Sequence, residues 1–227
     1  MDINLIKVIA AVITTIIAFI VGFRVLTLNS ANWLNRWFTL FFISSSLGFL
    51  TYTIYHLITN NSDLIIPLMV TAHIFFNFAA VSLMMTVFVL EKFAKVAMSL
   101  QYFGTMMVLF FVMSLGYFIW VPKLDMESYE QGIVNTSTPR GWFIFVNVIR
   151  IVMCIYVVYK YITMTRKIEK ETKKRIQWFS LGVIIVVIGI LINLTGGFFR
   201  STELLIEIIA LIAIDIGSLA ILKGFLI

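Results

Sequence analysis

The chain has 227 residues, of which 61% are hydrophobic and 12% are charged, and its formal net charge is +6. Ordinary soluble domains carry about 25% charged residues. A soluble domain of this length could not bury so much apolar surface, because surface area falls too slowly with size. These values exclude a soluble fold, and they indicate that the positive charge reports membrane topology and not nucleic-acid binding.

The first part of the chain predicts transmembrane helices at about 5–26, 37–58 and 64–90, because apolar runs of about 20 residues span a bilayer. We expect the first helix to be retained, since no small-residue cleavage site of a signal peptide follows it. The second helix carries Tyr52 and His56 near its end. The third carries His73 and Asn77, whose i and i+4 spacing places them on one helix face.

The middle of the chain predicts a fourth helix at about 96–120, after a charged link at 91–95. The longest non-helical stretch, 121–140, leads to a fifth helix at about 141–162, which carries Arg150 near its midpoint and Asn147 one turn earlier. A basic connector at 163–175 follows. Its charges indicate either a loop in contact with water and anionic headgroups or a docking site for a cytoplasmic signalling protein.

The last two helices are predicted at about 176–199 and 203–227. Asn193 lies in the sixth, and Glu207 and Asp215 lie eight residues apart on broadly one face of the seventh. Both helices carry small residues at regular spacing, which lets helices approach closely: Gly182, Gly189 and Gly196 on the sixth, and Ala210, Ala213, Gly217, Ala220 and Gly224 on the seventh. We interpret these residues as bundle packing, with a homo-oligomer interface as the alternative.

The distribution of lysine and arginine predicts the orientation. Twelve of the 17 fall on one side of a seven-helix arrangement, four fall on the other side, and Arg150 lies within a helix. Cytoplasmic segments of multi-pass proteins carry the excess of positive charge. The sequence therefore predicts an all-α bundle of seven transmembrane helices in the cell membrane, with the N-terminus outside and the C-terminus in the cytoplasm.

The intramembrane polar residues predict a binding pocket or a set of interhelical hydrogen bonds. A charged group within a bilayer needs a partner or a wet cavity, so Arg150 is expected to pair with Glu207 or Asp215 if their helices are neighbours or face one cavity. Most of the polar residues fall in the outer half, which favours a pocket that opens outward. The ligand or polar-cluster candidates are Arg150, Glu207, Asp215, His73, Asn77, Asn147 and Asn193.

Metal, haem and retinal chemistry are disfavoured by the residues present. The chain has two histidines, His56 and His73, which are too few for a zinc hydrolase site. The sequence does not exclude one haem with these two histidines as its axial ligands. Lys223 lies too near the end of the last helix for a retinal site. No serine–histidine or phosphate-loop motif occurs. We expect no cofactor, no metal and no enzymatic activity.

A weak internal repeat joins two helix starts. Trp37-Phe38-Thr-Leu opens the second predicted helix, and Trp178-Phe179-Ser-Leu opens the sixth. Three helices, a linker helix and three further helices form a plan that small carriers use. The alternative function is therefore a small-solute transporter or channel.

The arrangement of the chain resembles the seven-helix N-terminal sensor modules of prokaryotic membrane histidine kinases. The residues that carry the likeness are Arg36-Trp37-Phe38 at the start of the second helix and Lys173-Lys174-Arg175-Ile-Gln-Trp178-Phe-Ser-Leu-Gly182 at the sixth. The resemblance implies a membrane sensor without catalytic residues in this region. Such modules normally continue into a kinase or cyclase domain, whereas this sequence stops at Ile227, so we expect a separate cytoplasmic partner or a further part of the protein.

The sequence thus favours a sensor or receptor-like module that passes a signal from an outer-half polar pocket to a cytoplasmic partner. A small-solute transporter is the first alternative. A structural accessory subunit, whose polar residues only hold helices together, is the second.

Overall fold

The structure is a computed structural model that describes residues 3–58, 60–132, 134–165, 170–196 and 203–227. Its helices are α1 (Ile3–Leu28), α2 (Trp33–Leu57), α3 (Ile65–Ala97), α4 (Thr105–Ile119), the short α5 (Met126–Glu130), α6 (Arg140–Thr165), α7 (Lys170–Gly196) and α8 (Glu203–Leu226). A 3-10 turn, Ser62–Leu64, precedes α3, and a π-helical turn, Leu100–Gly104, precedes α4. The predicted helices 5, 6 and 7 correspond to α6, α7 and α8.

The all-α fold and the multi-pass character follow from helix length and apolar composition. Within the described residues, six helical segments are long and apolar enough to cross a membrane: Leu5–Leu28, Trp33–Leu57, Ser62–Ala97, Leu100–Ile119, Arg140–Met164 and Leu205–Leu226. α7 has 27 residues, but its described apolar stretch, Gln177–Asn193, is shorter than the other six. By length and composition, six segments are therefore candidate membrane spans.

Six of the helices form a closed ring. The order around the ring is α1, α2, α3, α6, α7 and α8. Each helix contacts the next, and α8 contacts α1. α4 packs against α3 and α6. Because α6 and α8 are separated by α7 in this order, residues on those two helices meet only across the interior of the ring.

The α7–α8 contact is the closest helix pair because glycines face backbone across it. A Cβ added at Gly182 would lie 2.6 Å from the Ile221 backbone nitrogen, and one at Gly217 would lie 2.7 Å from the Val186 backbone nitrogen. Gly189 sits in the same way against the Ala210 carbonyl, at 2.8 Å. Gly196 ends α7, and its surroundings lie outside the described side chains. Small residues here allow the two backbones to touch.

α3 continues through the charged segment that the sequence assigned to a link. Its helix runs to Ala97 but contains a break at Phe93, where φ is 61° and ψ is 156°. This conformation is essentially restricted to glycine and costs a larger residue about 1–3 kcal/mol. Glu91 just before the break pairs with Lys160 of α6 at 2.6 Å.

The long segment between α4 and α6 forms a small cap at one end of the ring, called the hairpin end. Strands β1 (Lys123–Leu124) and β2 (Thr136–Ser137) pair antiparallel. Asp125 begins α5 by accepting hydrogen bonds from the Ser128 hydroxyl at 2.8 Å and the Ser128 N–H at 3.3 Å. These bonds, with that of Asn135, lower the pKa of the Asp125 carboxyl. Leu124, Tyr129 and Val134 pack on apolar residues of α2 and α3.

The opposite end, called the connector end, is filled by aromatic side chains. Phe38 of α2 makes edge-to-face contacts with Phe179 of α7 and Phe225 of α8, at centroid distances of 4.6 and 5.6 Å. Tyr161 of α6 stacks on Phe179 at 5.4 Å. All four rings are buried. This aromatic cluster closes the interior of the ring at the connector end.

Candidate functional site

A cavity of about 290 Å³ lies inside the ring, on the hairpin side of the aromatic cluster. It is bounded by five helices, α2, α3, α6, α7 and α8, which contribute mainly aromatic and aliphatic side chains. Its polar or ionisable lining residues are Ser45, Tyr52, Tyr55, His73, Asn147, Arg150, Cys154, Asn193 and Glu207. A concave apolar site with a few converging polar groups is the usual form of a small-ligand pocket.

Arg150 of α6 is the cation in the cavity wall, and only 8% of it is exposed. Its Nε and Nη2 both donate to the Asn77 side-chain oxygen, at 3.0 and 2.6 Å. Nη2 also donates to the His73 backbone carbonyl at 3.3 Å, and Nη1 makes a long contact of 3.5 Å with the Asn147 side-chain oxygen. Tyr117 of α4 lies against the same guanidinium. Neutral oxygens therefore hold this charge.

The predicted ion pair between Arg150 and Glu207 or Asp215 is not made. Within the described part of the chain, the ion pairs are Lys7–Glu207 and Lys160–Glu91. The expectation was wrong because the helices of Arg150 and Glu207 are not neighbours in the ring; α7 separates them. Both residues line one cavity, but each is held by groups on its own side of it.

Glu207 of α8 lies in the cavity wall and is neutralised from α1. Its Oε2 is 2.6 Å from the Lys7 ammonium, and the Tyr52 hydroxyl donates to the same oxygen at 3.5 Å. The Lys7 ammonium also lies 5.2 Å from the centre of the Tyr52 ring. The ion pair thus ties α1, α2 and α8 together beside the cavity.

Asp215 does not belong to the cavity. It lies two turns further along α8, where its polar neighbour is the buried hydroxyl of Thr14 on α1. The Asp215 Oδ1 makes no hydrogen bond to the described residues. The candidates that the sequence grouped on one face of the last helix are therefore divided between the cavity and the α1–α8 contact.

The two histidines lie in different surroundings. His73 lines the cavity and stacks on Tyr117 with ring centres 4.9 Å apart, while its Nδ1 is buried and makes no hydrogen bond within the described residues. His56 stacks against Tyr52 and Tyr55, at 4.2 and 4.3 Å. Asn193 of α7 also lines the cavity.

A row of polar contacts runs along the α3–α6 interface from the cavity to the connector end. It begins with Asn77 and Arg150. Next, the Tyr161 hydroxyl lies 3.0 Å from that of Thr86, and Tyr161 must be the donor because Thr86 donates to the Leu83 carbonyl. The row ends at the Glu91–Lys160 pair. These contacts are called the polar row.

Sequence reasoning missed the contribution of α4 and α1 to the site. Tyr117 and Ser114 of α4 support His73, Arg150 and Asn77, with the Asn77 amide donating to the Ser114 hydroxyl at 3.3 Å. Lys7 is one of the four lysines and arginines on the predicted outer side. Lys7 is the fifth residue of α1. A lysine so near a helix end can extend to the interface without a partner, so its position did not predict the pairing with Glu207.

Fold and cavity together define the class, an all-α, multi-pass bundle with a polar cavity between its helices. No protein-family model matches the chain, and no curated protein is significantly similar to it.

Proposed function

We propose that this chain is a membrane sensor or receptor-like module with seven spans, an outside N-terminus and a cytoplasmic C-terminus. A small ligand would enter the cavity from outside, and the change would reach the cytoplasmic end. The observation that carries the proposal is Arg150, a buried cation in a cavity wall that also anchors one end of the polar row.

The polar row offers a physical route for the signal. A ligand that draws the guanidinium away from Asn77 would weaken the contact between α3 and α6 at the cavity. Both helices continue to the connector end, where Glu91 and Lys160 pair. Such a module works only if the ligand binds one arrangement of the helices better than the other. The sliding of packed helices by about 1–2 Å is a common form of this change.

The output would be the basic connector at 163–175, which follows α6 directly. Residues 166–169 of that connector lie outside the described residues, so its support is the sequence. A cytoplasmic signalling protein with an acidic face is the partner we propose, because six lysines and arginines fall in this segment.

Spin-label distance measurements test the coupling. Cysteines replace Lys95 at the end of α3 and Ile162 near the end of α6, both exposed, in a Cys154→Ser background, and the distance distribution is recorded in lipid nanodiscs. Arg150→Met is expected to shift or broaden that distribution by about 1–2 Å, because the cavity end of the polar row is lost. Lys223→Gln removes a cation at the connector end, on α8, and should leave the distance distribution unchanged. Identical distributions for Arg150→Met and the parent would overturn the proposal.

A small-solute carrier is the second candidate, and one contact favours it. Phe38 and Phe179, which occupy matching places in the two weakly repeated motifs, meet face to edge inside the ring. A carrier must open the connector end, where the aromatic cluster now closes it. Flux of radiolabelled phenylacetate into proteoliposomes would support this candidate over the sensor.

The accessory-subunit alternative has less support. In such a subunit the polar residues only join helices. Arg150 is hydrogen-bonded by neutral groups, but its charge has no carboxylate partner among the described residues and it borders a cavity.

A further inference from the structure

We infer that the cavity binds a small monoanion with an apolar, ring-sized body, such as an aromatic carboxylate, and that Arg150 is the residue that binds its charged group. This inference rests on the proposed function, because it names the class of ligand for the same cavity.

The net charge of the cavity favours an anion. Glu207 is the acidic residue of the lining, and the Lys7 ammonium at 2.6 Å neutralises it. Arg150 adds a positive charge that no described carboxylate balances. A cationic ligand would meet an excess positive charge in a medium that screens it poorly. A zwitterion would have to displace Lys7 to use Glu207. An anion supplies the missing countercharge directly.

The guanidinium can exchange a weak contact for a hydrogen bond to such a ligand. Arginine carries five N–H donors in a planar fork. In the described surroundings Nε and Nη2 direct theirs at Asn77 and at the His73 carbonyl, and Nη1 makes a long contact of 3.5 Å with Asn147. The Tyr117 hydroxyl accepts a further hydrogen bond from the guanidinium. A carboxylate can replace the long Asn147 contact, because arginine binds a carboxylate more strongly than a neutral acceptor.

The rest of the cavity suits an apolar ring. Phe49 and Phe76 meet edge to face at 5.0 Å, and both line the cavity with Met69. Aromatic pairs favour edge-to-face and offset contacts with a further ring, and the flexible thioether of methionine adapts to its shape. His73 adds a buried Nδ1 without a described hydrogen bond. A charge and aromatic rings around one cavity match an aromatic acid.

A matched series of probes tests the charge requirement on the full chain in nanodiscs. Phenylacetate, phenylacetamide and phenethylamine share a ring and a two-carbon side chain but are anionic, neutral and cationic. We expect saturable binding of phenylacetate, at least about tenfold tighter than the other two, because a hydrogen bond to a charged group is worth at least that factor. Calorimetric titration measures all three. Equal binding of the amide, or no binding of phenylacetate, would overturn the inference.

Variants locate the binding at Arg150. Arg150→Gln should weaken phenylacetate binding by about tenfold or more, Arg150→Lys should retain part of it, and Lys223→Gln, a cation remote from the cavity, should not change it. If Arg150→Gln does not fold, Ala80→Phe, which fills the cavity from α3, must abolish binding instead. Unchanged affinity in Arg150→Gln or in Ala80→Phe would contradict the assignment.

Thiol labelling gives a second measurement that needs no ligand. Cys154 is the single cysteine and lines the cavity one turn from Arg150. An anionic sulfonatoethyl methanethiosulfonate should react faster than the cationic trimethylammonioethyl reagent, relative to their rates with free cysteine, and Arg150→Gln should remove this preference. A preference for the cationic reagent would overturn the inference while the α3–α6 distance measurement could still support a sensor, so the two proposals fail separately.

Discussion

The two halves of the ring differ in how tightly their interiors are packed. The connector end is filled by Phe38, Phe179, Phe225 and Tyr161, which pack against one another. The hairpin end keeps a cavity of about 290 Å³ and a buried cation in its wall. Protein interiors normally leave few voids larger than a water molecule. The contrast indicates that packing in the connector half stabilises the bundle. The hairpin half is packed less tightly, and this leaves the cavity that we propose as a ligand site.

The largest effect is expected at the aromatic cluster. Phe38→Ala should lower the free energy of unfolding by about 3–5 kcal/mol, because it removes a fully buried ring in contact with two others. Phe49→Ala, which borders the existing cavity, should cost less. Equilibrium unfolding in mixed detergent micelles measures both. An equal decrease in the free energy of unfolding for the two variants would contradict the proposed difference in packing between the two halves.

The backbone contact between α7 and α8 comes next. Gly182→Ala should lower stability by about 1–3 kcal/mol, because the added Cβ would meet the Ile221 nitrogen at 2.6 Å. Gly141→Ala is the control, since nothing lies within 4 Å of a Cβ there. Thermal unfolding of both variants gives the comparison. If Gly182→Ala unfolds at the same midpoint temperature as the wild type, the close contact between α7 and α8 does not contribute to stability.

A smaller effect is expected within the polar row. Tyr161→Phe removes the hydrogen bond to Thr86 while the ring can still stack on Phe179. Hydrogen bonds between membrane helices average about 0.6 kcal/mol, so the stability change should be of that size. The α3–α6 spin-label distances should nevertheless broaden. Unaltered distances would show that Tyr161 contributes packing and no coupling.

The smallest effect concerns the cap at the hairpin end. Hydrogen bonds from Ser128 and Asn135 lower the pKa of Asp125 below its usual 3.8. The ionised carboxylate therefore stabilises the start of α5 above pH 3.8. This stabilisation is lost as the pH falls through the lower pKa that Asp125 has in the folded state. Hydrogen exchange at the Ser128 amide should show it, and Asp125→Asn should remove the pH dependence. A pH dependence that persists in Asp125→Asn would assign it to another group.

The spans were predictable because hydropathy and length are local properties. The six candidate spans overlap the predicted ones. The end of the third helix was predicted too early: the charges at 91–95 look like a loop, but Glu91 has a partner on α6 that sequence distance hides. The hairpin within 121–140 was also not foreseen, since its strands have only two residues each.

The candidate site was only partly predictable for a related reason. His73, Asn77, Asn147 and Arg150 could be selected because polar groups are rare within spans, and the structure brings them together. Which helices neighbour one another depends on packing of the whole ring, and one sequence carries no direct record of it. For this reason Glu207 was assigned to Arg150, although Lys7 of α1 is its partner.

The length of α3 has a consequence for how the bundle sits in lipid. Thirty-three residues would form a straight rod about 50 Å long, whereas a bilayer measures about 30 Å across its hydrocarbon core and about 40–45 Å with its headgroups. A helix of this length either tilts or extends beyond the bilayer, and the break at Phe93, a residue that is 82% exposed, turns its last residues off the axis. A thinner bilayer increases the tilt of a long helix. Because α3 carries both Asn77 and Glu91, the thickness of the surrounding lipid acts on the same element that holds the buried guanidinium.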